Sequence, residues 1–129
     1  MIPFEITVRT SALIEAREIT GEIERLVGGN EGGLAHIYTP HTTCGVTINE
    51  NADPSVMKDI LDALSRMVPQ DYPYRHAEGN ADSHIKALLT GSSVTVPIER
   101  GNLRLGIWQG IFLMEFDGPR QRKVLVTLV

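Results

Sequence analysis

Asp53-Pro54-Ser55-Val56-Met57-Lys58-Asp59-Ile60-Leu61-Asp62-Ala63-Leu64-Ser65-Arg66-Met67-Val68-Pro69 decides the reading of the chain. Asp53 supplies an N-cap oxygen, and Pro54 sits where a missing N–H costs nothing. Val56, Ile60, Leu64 and Met67 recur at helical spacing, as do Met57, Leu61 and Val68, so one stripe of this helix faces a core. Pro69 ends it. A long amphipathic helix in mid-chain, with extended patterns on both sides, predicts helices packed on a sheet.

Outward from that helix the pattern turns β. Toward the N-terminus, Cys44 to Ile48 and Gly33 to Thr39 read as strands. They are divided by Pro40, which cannot donate to a ladder. Ile23, Leu26 and Val27 make the apolar stripe of a short helix, with Thr20 as its expected cap and Gly28-Gly29-Asn30 as its stop. Ile14 to Ile19 reads as a weaker strand. Phe4 to Arg9 alternates apolar and polar residues with period two.

Toward the C-terminus, residues 69–79 form a polar loop, and Asn80 is the expected cap of a helix through Leu89 that Gly91 closes. Ser93 to Ile98 alternates, and Gly101-Asn102 makes a turn. Leu103 to Trp108 and Ile111 to Phe116 follow as strands, with Trp108 expected in the core or an interface. After the turn Asp117-Gly118-Pro119, Val124 to Val129 closes the chain. This last strand is almost wholly apolar. It is either central and buried on both faces, or its outer face meets a partner subunit. The expectation is a single α+β domain over 1–129 with mostly antiparallel sheet and two to three helices.

A chain of 129 residues fits one domain, and 42% hydrophobic residues are enough for one core. Aromatics are 5%, so Val, Ile, Leu and Met must fill it. A net charge of −4 argues against a nucleic-acid-binding surface, and Arg120, Arg122 and Lys123 are too few for a phosphate-backbone stripe. Cys44 is the one cysteine, so no intramolecular disulfide forms and a reducing setting is the simpler reading. No basic leader opens the chain, and no apolar run nears the ~20 residues of a membrane helix. A cytoplasmic protein is expected.

Three of the four histidines lie in polar runs at junctions between elements: His41 in Pro40-His41-Thr42-Thr43-Cys44, His76 in Tyr74-Arg75-His76, and His84 in Asn80-Ala81-Asp82-Ser83-His84. Neutral imidazoles ligate metals and carry protons near neutral pH. His84 falls in the first turn of a helix whose N-terminus favours anions. The plain alternative is an exposed histidine at a capped helix start. Thr42 and Thr43 suit a phosphate cradle, or they simply satisfy loose backbone groups at a strand bend. Glu50 is a candidate base or ligand, whereas Asp53 is explained by its cap. Tyr72 and Tyr74 suit stacking on a small ring. Arg120 suits a bidentate phosphate clamp, unless it pairs Glu115 or Asp117 within the turn. His36 alternates with Leu34 and Tyr38 and reads as structural or subunit-facing. Cys44 reads as a small buried hydrophobe.

The run Pro40-His41-Thr42-Thr43-Cys44-Gly45-Val46-Thr47-Ile48-Asn49-Glu50-Asn51-Ala52-Asp53-Pro54 resembles the YjbQ-like family. So do Gly79 to Ala87, Leu105-Gly106-Ile107-Trp108-Gln109-Gly110-Ile111-Phe112, and Glu115-Phe116-Asp117-Gly118-Pro119-Arg120. The family also carries the name secondary thiamine-phosphate synthase. The resemblance implies two packed sheets in a β-sandwich-like α+β fold, assembled as a homotrimer. It also implies a site near the subunit boundary, with His41, His76 and His84 as ligands of a divalent metal, zinc foremost. Glu50, Asn80 and Glu115 would be neighbours.

The expected chemistry joins a pyrimidine methyl diphosphate to a thiazole phosphate. His41, Glu50 and Glu115 are its catalytic candidates, and Thr42, Thr43, Asn80, Arg120 and Tyr74 contact the small phosphorylated substrate. The competing readings are a hydrolase with a histidine-bound metal and a non-catalytic trimer that binds a metal or a phosphorylated ligand.

Overall fold

The computed structural model describes residues 2–129. Its elements in order are β1 (Phe4–Arg9), β2 (Glu15–Glu18), α1 (Thr20–Val27), β3 (Gly32–Tyr38), β4 (Cys44–Glu50), α2 (Pro54–Met67), α3 (Ala81–Thr90), β5 (Ser93–Glu99), β6 (Asn102–Leu103), β7 (Gln109–Glu115) and β8 (Gln121–Leu128). They form an antiparallel five-stranded sheet, β1-β8-β3-β5-β6, and an antiparallel three-stranded sheet, β2-β7-β4. This is the α+β architecture expected, with all three helices present.

The two sheets pack face to face, and α2 and α3 cover the outer face of the smaller one. Ala35, Ile37, Val96, Val124 and Val126 of the larger sheet share one core with Val46, Ile111 and Leu113 of the smaller. Ile23 and Val27 of α1 belong to the same core. On the other face of the three-stranded sheet, Phe112 and Met114 meet Met57 of α2 and Ala87 of α3. β7 is therefore buried on both faces, which explains its continuous apolar run.

Asp53 caps α2 as its sequence predicts, its carboxylate accepting from the Ser55 amide at 2.9 Å. α3 is fastened to β4 at its end. Gly91, at φ 92°, turns the chain so that its carbonyl accepts from the Val46 amide at 3.0 Å. Gly45 is required below it, because a Cβ there would lie 2.6 Å from the Gly91 oxygen.

Three expectations need correction, and one open alternative is narrowed. The strand expected over Leu103 to Trp108 stops at Leu103. The chain folds back where the Gly106 amide donates to the Gln109 side chain at 2.8 Å, leaving Ile107 and Trp108 exposed rather than in the core. Thr20 begins α1 instead of capping it, and its hydroxyl accepts from the Ile111 amide at 2.9 Å. Asn80 flanks α3 without a side-chain cap, its amide donating to Asp117 at 2.9 Å instead. The last strand is central but not buried on both faces: Val124 and Val126 point into the core, while Leu125 and Thr127 on the outer face are half-buried.

Candidate functional site

One end of the sandwich is closed by a buried ion pair that joins the two sheets. Glu115, at the end of β7, is wholly buried and faces Arg122 of β8. Both of its oxygens take guanidinium hydrogen bonds, one of them at 2.9 Å. The Thr10 hydroxyl donates to it at 2.7 Å and the Asp117 amide at 3.0 Å. Burial alone pushes the Glu115 carboxyl up, but the hydrogen bonds from Arg122, Asp117 and Thr10 outweigh it and hold the group below its ordinary range. Arg122 also donates to the Thr43 hydroxyl at 2.9 Å and to its carbonyl. The pair thus anchors the His41 loop and the 117–120 turn from beneath. With its acceptor sites taken, Glu115 holds the site together and is badly placed to serve as a base.

Above this anchor lies a polar cavity of about 340 Å³, lined by His41, Thr42, Asn80, His84, Asp117 and Arg120 among others. His41 accepts at Nε2 from the Lys123 amide at 2.9 Å. Its pKa is lowered, chiefly by burial and then by the charges of Arg122, Lys123 and Arg120. A neutral ring that accepts at Nε2 carries its proton on Nδ1, so His41 is a hydrogen-bond donor there. Arg120 is half-exposed and held by Asp117, through the carbonyl at 2.6 Å and the carboxylate at 2.9 Å. Its remaining N–H groups are available to a ligand.

The structure therefore brings together His41, Thr42, Asn80, His84 and Arg120, with Thr43 and Glu115 directly behind them. Two expected members fall elsewhere. Glu50 stands at the far end of β4, roughly 20 Å from Cys44 at the usual strand rise. There it lines a cavity of about 400 Å³ with Glu15, Glu18, Met57, Leu61 and Phe112. It is not a neighbour of the histidines, because the length of the strand separates them. Tyr74 lines a different depression, with Tyr72 and His76, and donates its hydroxyl to the Pro69 carbonyl.

His76 does approach His84, with ring centroids 5.3 Å apart and edge to face, and Glu78 lies 3.8 Å from its Nε2. The three histidines still do not form one ligand cluster. His41 has its Nε2 occupied by a backbone amide, and no grouping of three metal-ligating side chains occurs among the described residues. The donors do not fit the expected three-histidine zinc centre.

Sequence reasoning missed Arg122, and it missed the buried pair of Lys86 and Asp82 at 2.7 Å on α3. The spacing of residues 82 and 86, one helical turn apart, was the available signal for the second. Nothing local marked Arg122, whose partner lies across the sandwich.

Residues 4–129 match the family described as UPF0047 protein YjbQ-like. A UPF0047 protein of Methanocaldococcus jannaschii is 46% identical over 128 residues, spanning 98% of this chain and 93% of that protein. The UPF0047 protein YugU of Bacillus subtilis is 43% identical over 127 residues, spanning 96% of each. Among solved structures, an uncharacterized conserved YjbQ/UPF0047 protein of Clostridium acetobutylicum superposes with a TM-score of 0.95 at 48% identity, over 98% of this chain and 99% of that one. A conserved hypothetical protein of Thermus thermophilus gives 0.93 at 44% identity, over 98% and 99%. The chain belongs to the UPF0047 YjbQ-like family.

Proposed function

We propose that the cavity between His41, His84 and Arg120 binds the phosphate or diphosphate group of a small molecule and that the protein is a transferase acting on that molecule. The observation that carries this reading is the convergence of N–H and O–H donors on one cavity over a rigid base. The His41 ring N–H, the Thr42 hydroxyl and the guanidinium of Arg120 suit an oxyanion. The N-terminal end of α3 adds its positive dipole.

In this reading Arg120 and His41 hold the anion, and Asn80, through Asp117, holds Arg120. His84 sits where it can give a proton to a leaving oxygen or take one from an attacking group. Joining a pyrimidine methyl diphosphate to a thiazole phosphate is one reaction of this kind. The bond from the methylene carbon to diphosphate breaks, and its electron pair leaves with diphosphate. The thiazole nitrogen supplies the pair for the new carbon–nitrogen bond. The residues named would neutralise the departing charge.

The arrangement favours this over hydrolysis at a histidine-bound metal, because His41 would first have to release the Lys123 amide. A trimer remains part of the proposal. Leu34, Tyr38 and Leu125 share the outer face of the five-stranded sheet, and Leu34 and Tyr38 are exposed there. Light scattering should give three times the mass of one chain. For the reaction, diphosphate release should require both phosphorylated substrates and fall at least about tenfold in Arg120→Ala and in His84→Ala. Full activity in His84→Ala overturns the reaction. Absence of any phosphate binding overturns the site.

A further inference from the structure

The polar cavity does not end at His41 and His84. A second cavity, of about 370 Å³, opens on the other side of the same residues and is also lined by Thr42. Its remaining walls are Cys44, Ala87, Leu88, Gly91 and Ser92. Arg120, Asp117 and Glu78 line only the first lobe. The two lobes therefore share one edge, and charged side chains stand on one side of it only.

The apolar character of the second lobe is built into the fold. Gly91 and Gly45 let the end of α3 close onto β4, which sets Ala87 and Leu88 of the helix along the same cavity as Cys44. Cys44 is buried, with its thiol held protonated chiefly by that burial, so the lobe is bounded there by a neutral, soft surface. Leu88 is 79% exposed at its rim, although inward-facing positions lie on the same helix.

We propose that the molecule bound here is an organic phosphate whose uncharged ring or hydrocarbon portion lies in the lobe of Cys44, Ala87 and Leu88 while its anionic group lies in the lobe of Arg120. This rests on the phosphate reading above and narrows it. A strongly hydroxylated sugar would gain little against Cys44, Ala87 and Leu88, whereas a ring or hydrocarbon portion would take those apolar surfaces out of water. The bond between carbon skeleton and phosphate would cross the shared edge, within reach of His41 and His84.

Calorimetric titration of the full chain with inorganic phosphate, phenyl phosphate and phenol tests this. Phenyl phosphate should bind at least about tenfold more tightly than inorganic phosphate, as expected when much of a ring leaves water. Leu88→Asn, at a largely exposed position that tolerates substitution, should bring that ratio down toward one. Arg120→Ala should weaken both phosphates. Equal affinity for the two phosphates, or an advantage for phenyl phosphate that survives Leu88→Asn, overturns the apolar lobe but leaves the anion site standing. Binding of neither phosphate overturns both.

Discussion

The two ends of β4 hold cavities of similar size built on opposite principles. At the His41 end the polar groups rest on a buried ion pair, and their hydrogen bonds fix the loop and the turn to both sheets. At the Glu50 end the floor is apolar, formed by Met57, Leu61 and Phe112. The hydrogen bonds of the carboxylates there are exposed: Glu50 accepts from the nearby Asp53 amide at 3.2 Å, and Glu18 accepts from Thr20 and, across to the loop after β4, from Asn51, both at 2.8 Å. Preorganised donors are what an anion site needs, because a donor held by the fold does not have to be reoriented when charge arrives. The difference between the ends, more than cavity size, is what supports the proposal of an anion site at His41 rather than at Glu50.

The largest effects should therefore come from the anchor. Glu115→Gln or Arg122→Met leaves a buried charge without its partner and should cost about 3–5 kcal/mol of stability. Glu50→Gln, at the other end, should change stability by less than about 0.5 kcal/mol. Urea unfolding of the three variants measures the contrast, and equal losses would erase it. Lys86→Met should fall near the first group, at roughly 3 kcal/mol, because it strands Asp82. The double variant Asp82→Leu, Lys86→Met should recover much of that loss. A smaller and more specific effect is expected at the rim. Arg120→Ala should weaken phosphate binding roughly tenfold with little change in melting temperature, and Glu50→Ala should leave binding unaltered.

Why the anchor was hard to read follows from where its parts lie. The helix from Pro54 was legible because its cap, its first-turn proline and its apolar stripe are all local. The alternating strands were legible for the same reason, since burial of one face imposes a period of two. Leu103 to Trp108 misled, because its apolar residues resemble a strand while the Gly106 turn takes them out of any ladder. Asn80 misled because a better partner, Asp117, lies 37 residues away and outcompetes the local cap. Glu115 and Arg122 are only seven residues apart. They stand in different sheets, however, and only the reversal at Gly118-Pro119 turns their side chains toward each other across the sandwich. His41, Thr42, His84 and Arg120 were legible as polar residues at junctions. Their convergence, and the exclusion of Glu50, depended on the length and direction of β4.

The pH response sharpens the same comparison. The folded pKa of His41 lies below its ordinary value near 6.5. As pH falls below about 6.5, the unfolded chain binds a proton there that the folded chain resists. Stability due to His41 is thus complete above that pH and declines as the pH drops toward the folded value. The Glu115 carboxylate is held below its ordinary value near 4.5, so its contribution is complete above that pH and is lost at lower pH, as the folded group takes up its proton. Stability should then decline in two stages on acidification. His41→Asn, which keeps an acceptor for the Lys123 amide without a titrating ring, should remove the upper stage only.

The smallest effect should come from Asp53. It caps α2 beside the Glu50 cavity, but it is fully exposed and its side chain bonds only Ser55. Asp53→Ala should lower the melting temperature by no more than about 3 °C, and Asp53→Ser should restore it, because a serine hydroxyl caps nearly as well. If Asp53→Ala proved as damaging as Glu115→Gln, the Glu50 end would be as tightly coupled to the rest of the fold as the His41 end. Preorganisation would then no longer distinguish the two cavities, and Glu50 would have an equal claim to the chemistry.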